Sequence, residues 1–491
     1  MLDDRSGTLS RDMPRHSVMG GTYADPLQTS ARIQFRRALT LAAMTVLVPG
    51  SAQIVQGNRR VGRLAMRIWA GLIAVAALVG LLAWADRQLV FALLTSPIVL
   101  TLGRWALIAI AIGWIALIAD AWRLGRPREL VGAHRAITTG LHGFLAVGTA
   151  AVLFFAAHAV SVMDGFTDTV FASSTVTQPH EGRYNVLLMG TDSGKDRFGM
   201  RPDSMNVASI DAETGKAVLI GLPRNLQDVP FPKGSVMDEQ FPDGFDCEGC
   251  YLNAVNTWAN DHARLFGEKE PGIDATMGAI EEITGLKLNY FALVNMKGFS
   301  RLIDAVGGVT VDVQERTAIG GIGSPIRGYI PAGKRKLTGD QALWYARSRV
   351  QNDDWSRMGR QKCVMNAMVH QLSPQKVVLN MGGIAKSSSS MLHTNIPRQD
   401  LNVFMDLALK TKSEPISSVS LVPPAIYTGN PDFPKVRRMV SDAIAASEGS
   451  VAVSAPLATT SLPLIDAESG AGGAQKDPRK ANQSKNLDQA C

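Results

Sequence analysis

The sequence predicts an α/β domain, with a mixed central sheet flanked by helices, preceded by a transmembrane helical region and followed by a disordered tail. Three observations carry that expectation. Long uncharged apolar runs are confined to the first third of the 491 residues. The middle of the chain alternates short apolar strand-like runs with segments of helical period. Beyond residue 446 both periodicities stop. Charge divides along the same line: residues 1–165 hold 16 Lys and Arg against 8 Asp and Glu, and the remainder holds 34 against 35. The basic excess behind the pI of about 9.2 therefore belongs to the N-terminal third, and no nucleic-acid partner is expected for the rest. The apolar runs exclude a simple soluble enzyme.

Residues 1–37 carry six basic and four acidic residues without a helix-turn-helix pattern, and read as a disordered cytoplasmic arm. Residues 38–163 read as the transmembrane region. Ile68–Ala85 is an uncharged run of 18 residues and Ala136–Met163 one of 28. Both are long enough to cross roughly 30 Å of hydrocarbon. A third run centres on Trp105–Ala119, and a weaker one, Ala38–Asn58, is interrupted by Pro49-Gly50 and carries Gln53 and Gln56. Arginines set the orientation. Arg36 and Arg37 precede the weak stretch, Arg59, Arg60 and Arg63 follow it, and Arg123, Arg126, Arg128 and Arg135 lie between the last two runs. Basic loops belong in the cytoplasm. Ala38–Asn58 then has both ends inside and is re-entrant or interfacial, leaving three spans at about 66–86, 100–122 and 137–162. Odd parity predicts a multi-pass protein of the cell membrane with its C-terminal domain extracytoplasmic.

Residues 183–446 read as that domain. Asn185–Met189 is a buried strand, and Met205–Ile210 and Lys216–Leu222 form a hairpin around Asp211–Gly215. Leu252–Phe266 and Ile273–Ile283 read as helices, the second with Pro271 near its start. Tyr290–Val294 is a strand, Met296–Val306 a helix ended by Gly307-Gly308, and Val309–Val313 the next strand. Thr338 is an N-cap candidate for a helix to about Ala346, and Ser356–Leu372 is a further helix. Ser, Ala, Gly and scattered charges over 447–491 predict a disordered C-terminal tail. The four cysteines all fall outside the membrane region. An oxidising exterior favours a disulfide from Cys247 or Cys250 to Cys363, with no basis for choosing between the two partners. The Cys247-x-x-Cys250 pair is only half a zinc site.

Three segments place charge where a sheet protein keeps apolar or turn residues. Asp192 directly follows the first strand, and Arg201 and Asp203 precede the second. Arg224 directly follows the third strand. Arg347 and Arg349 are two apart, followed by Arg357, Arg360 and Gln361. Residues 357 and 361 share a helix face, and 347 and 349 share a face of an extended stretch. Up to six arginines can thus converge on one anion. The fixed guanidinium fork suits phosphate oxygens. A pyrophosphate carries roughly three negative charges near neutrality and fits such a cluster. Asp192 and Asp203 would repel it unless a divalent cation, Mg²⁺ foremost, bridged them.

These segments make the chain resemble the LytR-CpsA-Psr (LCP) family of cell-wall glycopolymer ligases over roughly Arg183–Gln371. The resemblance rests on NVLLMGTD, RPDSMNVASID, AVLIGLPRN, YLNAVNTWA, FALVNMKGFSRLIDAVGGVTVDV and KLTGDQALWYARSRVQNDDWSRMGRQ, in that order. The multi-span N-terminus and the cysteine pattern are similar to the actinobacterial branch. It implies an α/β domain that binds a polyprenyl-pyrophosphate-linked glycan and transfers the phospho-glycan to a peptidoglycan hydroxyl with Mg²⁺. By motif, Asp192 and Asp203 match metal-site or base carboxylates, and Arg224, Arg347 and Arg349 match pyrophosphate arginines. Arg201, Arg357 and Gln361 match the remaining motif positions, with Arg360 and Asn253 as further substrate contacts. Two positions depart from the family pattern: Asn225 stands where Asp is frequent, and Tyr251 where Lys is frequent. The expected activity is a membrane-anchored phosphotransferase. The rival readings are a non-catalytic binder of the lipid-linked glycan and a hydrolase that cleaves the pyrophosphate.

Overall fold

The structure, a computed structural model, describes residues 26–86, 89–90, 93, 96–171, 176–192, 201–268, 270–321, 323–371, 392–449 and 477–491. Two compact units are present, one of residues 1–78 with 106–155 and one of 79–105 with 156–491.

Helices α1 (Pro26–Leu47), α2 (Ser51–Val55), α3 (Arg59–Ala85), α4 (Pro97–Leu124) and α5 (Gly132–Val170) form the N-terminal region. Three helical stretches are long and apolar enough to cross a membrane: Arg59–Ala85, Pro97–Glu129 and Gly132–Gly165. They overlap the apolar runs at 66–86, 100–122 and 137–162. Pro49-Gly50 separates α1 from α2, and Gly50 takes a left-handed φ of 93°. A Cβ there would lie 2.5 Å from the Gly62 carbonyl oxygen, so only glycine permits this approach. Gln53 is fully buried, and its Nε2 donates to the Leu117 carbonyl at 3.0 Å. The expected disorder of the arm to residue 37 does not hold, because α1 begins at Pro26. Its Gln, Ala, Arg and Leu residues are good helix formers without being apolar enough to mark a span. The first 25 residues of that arm lie outside the described residues.

Downstream lie strands β1 (Arg183–Thr191), β2 (Pro202–Asp211) and β3 (Ala217–Leu222), then helices α6 (Val236–Gln240), α7 (Val255–Asp261), α8 (Ala263–Phe266) and α9 (Gly272–Thr284). There follow β4 (Tyr290–Asn295), α10 (Met296–Ala305), β5 (Val309–Val313), β6 (Thr317–Ile319), β7 (Gly328–Ile330) and β8 (Gly333–Leu337). Helices α11 (Gly339–Arg347) and α12 (Asp354–Gln371), strand β9 (Leu392–Thr394), helix α13 (Leu401–Ser413), strand β10 (Ser417–Ser420), and helices α14 (Phe433–Glu448) and α15 (Lys480–Gln483) complete the order. The central sheet is mixed, ordered β10-β3-β2-β1-β4-β9. The β1–β4 and β10–β3 pairs are parallel, and the others are antiparallel. Strand β5 lies outside this sheet and pairs with β8 in a separate two-stranded ribbon.

Period-two alternation divides the sheet's faces. Leu187, Met205, Val207, Val218, Ile220 and Phe291 join Val255, Ile280, Ile283, Val436 and Val440 in one core, so α7, α9 and α14 cover that face. Each such side chain contributes about 1.5–3 kcal/mol on burial. On the opposite face Ala217 and Leu219 meet Met365 and Val369 of α12. The helix expected over Leu252–Phe266 is broken into a short 3₁₀ turn, α7 and α8. Thr338 caps α11 as expected, its hydroxyl accepting from Gln341 N at 3.4 Å while Gln341 accepts from Thr338 N at 3.1 Å.

The tail and the cysteines differ from expectation. Residues 477–491 return to the domain, with Ala481 and Leu487 buried, so the 447–491 tail is not disordered throughout. Its stretch 450–476 lies outside the described residues. Cys247 pairs with Cys250 and Cys363 with Cys491, instead of Cys363 with the Cys247/Cys250 loop. The sequence of the returning segment lacks periodicity because it contributes single anchoring residues to a pre-formed surface rather than a helix face.

Candidate functional site

The face of the sheet turned toward α12 has small or polar residues where the other face has large ones. Leu188 and Gly190 of β1, Ser204 and Asn206 of β2, and Ala292 and Val294 of β4 alternate with the core residues and line a cavity of about 510 Å³. Its opposite wall is apolar: Phe299 of α10, Leu343 of α11, and Val364, Met365 and Met368 of α12. Small residues on the sheet leave room that large ones would fill.

The expected polar residues border the same cavity. Asp192, Arg201, Asp203, Arg224, Asn253, Arg347, Arg349, Arg357 and Gln361 all line it. Strand ends bring Asp192, Asp203 and Arg224 together because β1, β2 and β3 are adjacent in the sheet. Asn253 is placed by the hydrogen bond from its backbone N to the Arg224 carbonyl, 3.0 Å. Arg347 ends α11 and Arg349 follows it, while Arg357 and Gln361 lie one turn apart on α12.

Carboxylates hold the guanidinium groups. Arg224 reaches Asp203 at 2.5 Å, and Arg347 reaches Asp192 at 3.4 Å. Arg357 is 3% exposed and donates to the Asp203 carbonyl at 2.9 Å. Its burial pulls the guanidinium below its ordinary pKa, with Asp354 opposing. Asp354, absent from the expected set, lies 2.9 Å from Arg357, 3.3 Å from Arg224 and 3.7 Å from Arg349. The one sequence signal for it is its i,i+3 spacing from Arg357.

Arg360 is the exception among the expected substrate contacts. It is 1% exposed, does not line the cavity, and donates to the Tyr345 carbonyl at 2.8 Å, to Glu315 at 2.9 Å and to the Ser348 carbonyl. These bonds tie α12 to the end of α11, so Arg360 fixes the turn that carries Arg347 and Arg349. Asn225 Nδ2 donates to Thr428 Oγ1 at 3.4 Å, and Tyr251 is a surface residue outside the cavity lining.

Asp192 and Asp203 offer hard oxygen donors on one cavity. Among the described residues no three His, Cys, Asp or Glu side chains group as a metal cage. Both carboxylates are paired with arginine here, Asp203 with Arg224 and Asp192 with Arg347.

The family model described as the LytR_cpsA_psr family matches residues 157–436. A polyisoprenyl-teichoic acid–peptidoglycan teichoic acid transferase TagU of Bacillus mycoides (strain KBAB4) is 27% identical over 220 residues, 44% of this chain. That match spans 62% of the relative's own length, less than two thirds. A protein of the same name from Enterococcus faecalis (strain ATCC 700802 / V583) is 29% identical over 245 residues, 49% of this chain and 71% of the relative. Among solved structures, B. subtilis TagV is 23% identical, covers 54% of this chain and 97% of that chain, and superposes with a TM-score of 0.40. A structure described as TagT bound to LIIa-WTA is 20% identical, covers 57% and 97%, and has a TM-score of 0.40.

Proposed function

The chain belongs to the LytR-CpsA-Psr family, and from that premise we propose that it is a membrane-anchored phosphotransferase moving a phospho-glycan from a polyprenyl-pyrophosphate carrier to peptidoglycan. One observation carries the reading: Arg201, Arg224, Arg347, Arg349 and Arg357 border a cavity with an apolar wall of Phe299, Leu343, Val364, Met365 and Met368. A diphosphate attached to a hydrocarbon chain is the ligand whose two halves match those two walls. The relatives' names, which give a polyisoprenyl donor and a peptidoglycan acceptor, support it.

In this reading an acceptor hydroxyl attacks the phosphorus nearer the sugar. The new P–O bond forms as the bond to the bridging oxygen breaks, and polyprenyl phosphate leaves with the electron pair. The arginines hold the phosphoryl oxygens and neutralise the charge that spreads over them. Asp192 and Asp203, the carboxylates bordering the cavity, are the candidates to take the hydroxyl proton, and the same two would hold a Mg²⁺ ion. The ion, when bound, offsets the negative charge of carboxylates and phosphates brought together.

Orientation follows from charge. With three spans, Arg36, Arg37, Arg59, Arg60 and Arg63 on the first side and Arg123, Arg126, Arg128 and Arg135 between the second and third, the domain is extracytoplasmic. The anchor keeps the enzyme beside a donor confined to the bilayer.

The test is transfer by the full chain in nanodiscs, supplied with a polyprenyl-pyrophosphate-linked glycan and peptidoglycan fragments. Arg347→Ala and Arg349→Ala each remove a charge-stabilising donor, worth about 2.7–4 kcal/mol, so turnover falls by about 10²–10³ with melting unchanged. Wild-type transfer by the double variant sinks the assignment. Glycan phosphate released to water without an acceptor identifies a hydrolase instead.

A further inference from the structure

We propose that residues 477–491 are a positioning element of the arginine site, a strap that holds the start of α12 against the sheet. This rests on reading the arginine cluster as a pyrophosphate site.

The strap follows α12 from its N-cap to Cys363. Asp353 caps the helix, accepting from Ser356 N at 3.0 Å, and its other oxygen meets Arg479 at 3.0 Å. Burial raises the Asp353 pKa, but the Ser356 hydrogen bonds and Arg479 outweigh it and hold the carboxyl below its ordinary range. Asn482, itself buried, donates to the Trp355 carbonyl at 2.8 Å. Pro478 packs so tightly on Gly359 that a Cβ there would lie 2.0 Å from its carbonyl oxygen. Lys362 donates to the Ser484 carbonyl at 2.8 Å, and Cys363 is disulfide-bonded to Cys491.

The other edge of the strap is bound to the sheet. Ser418 N donates to the Lys485 carbonyl at 2.8 Å, and Leu487 N to the Ile416 carbonyl at 2.8 Å. Asn486 bridges to Ser417 of the edge strand β10. The segment thus spans from edge strand to helix, in contact with the turn that presents Asp354 and Arg357. Asp353 and Trp355, its two polar anchors, flank Asp354, which gathers Arg224, Arg349 and Arg357. A shift of that turn by an ångström would change all three separations. Arg479 and Asn482 act through this turn and do not line the cavity; they are positioning residues.

The experiment measures farnesyl pyrophosphate binding to the full chain in detergent by titration calorimetry, with thermal melting of each variant. Asn482→Ala is expected to raise Kd about tenfold and Arg479→Ala about threefold, with the wild-type melting temperature nearly kept. Arg479→Lys restores affinity, because the charge on Asp353 is met again. Gly359→Ala, which helix propensity alone would favour, weakens binding by displacing Pro478. Arg224→Ala is the control. If Arg224→Ala binds as wild type, the pyrophosphate reading itself fails, and the strap with it. If Arg224→Ala loses binding while Asn482→Ala, Arg479→Ala and Gly359→Ala bind as wild type, the strap role alone is overturned. Losses that track the unfolded fraction at the assay temperature overturn it as well, since they assign the segment to stability.

Discussion

Replacing Asp354 with asparagine removes one negative charge from among three guanidinium groups without changing the size of the side chain. The cost falls unequally on its partners. Arg357 has a side chain 4% exposed and lies 2.9 Å away, so its pair behaves as a buried one. Breaking such a pair from one side costs about 3–5 kcal/mol. Arg349 is 38% exposed at 3.7 Å and adds little, and Arg224 keeps Asp203 at 2.5 Å. The amide carbonyl still accepts one hydrogen bond, which places the loss near the lower limit, about 3 kcal/mol. At about 2–4 °C per kcal/mol for a domain of this size, the melting temperature falls by about 6–12 °C. The assay is thermal unfolding of the full chain in detergent near neutral pH, with and without farnesyl pyrophosphate. The anion supplies the counter-charge that Asp354→Asn has removed, so ligand recovers more stability in the variant than in the wild type. A variant that melts together with wild type in the absence of ligand would show that the arginines do not depend on this carboxylate, and the reasoning fails.

Other consequences can be measured in the same preparations. The Cys363–Cys491 bridge joins residues 128 apart and Cys247–Cys250 residues three apart. Chain entropy assigns them at most about 5 and about 1.6 kcal/mol. Cys491→Ser is therefore expected to lower the melting temperature well beyond Cys247→Ser, and equal shifts would contradict the entropic account. The pKa of Lys362 is pulled down to about 8 by burial. The unfolded chain therefore binds the extra proton between about pH 8 and the ordinary lysine value, and stability rises with pH across that window. In denaturant unfolding, wild type should gain on Lys362→Met as pH rises through it, and parallel curves refute this. A Cβ on Gly339 would lie 2.0 Å from the Ser300 carbonyl oxygen where α11 meets α10. Gly339→Ala should cost about 1–3 kcal/mol by overpacking, read as a lowered melting temperature.

The residues that face one cavity are legible where local periodicity controls them. Asp192, Asp203 and Arg224 can be placed because each sits at a strand end, and a strand end of an open sheet has a fixed side. Arg357 and Gln361 can be placed because four residues on a helix return to one face. The same geometry separates Arg360, about 60° from Arg357 on the side away from Gln361 at about 100° per residue. As one more arginine in a run it reads as a ligand contact; Glu315 and two carbonyls across the packed interface claim it instead. Asp354 lies on the favourable side of that wheel, yet its local sequence reads as a surface acid. Only the folding of Arg224 and Arg349 from other elements onto it makes it a hub.

The three apolar helices, the first strands and helices of the domain from β1 to β5, and the charged side chains bordering the cavity were legible in the sequence alone. They depend on composition and on periods of 2 and 3.6 that any short window displays. The disulfide partners, the separate β5–β8 ribbon and the course of residues 477–491 along α12 were decided by the tertiary structure. Each is a meeting of segments far apart in the chain or of surfaces made elsewhere, where shape and unpaired polar groups on both sides select the partner and no local pattern encodes the choice.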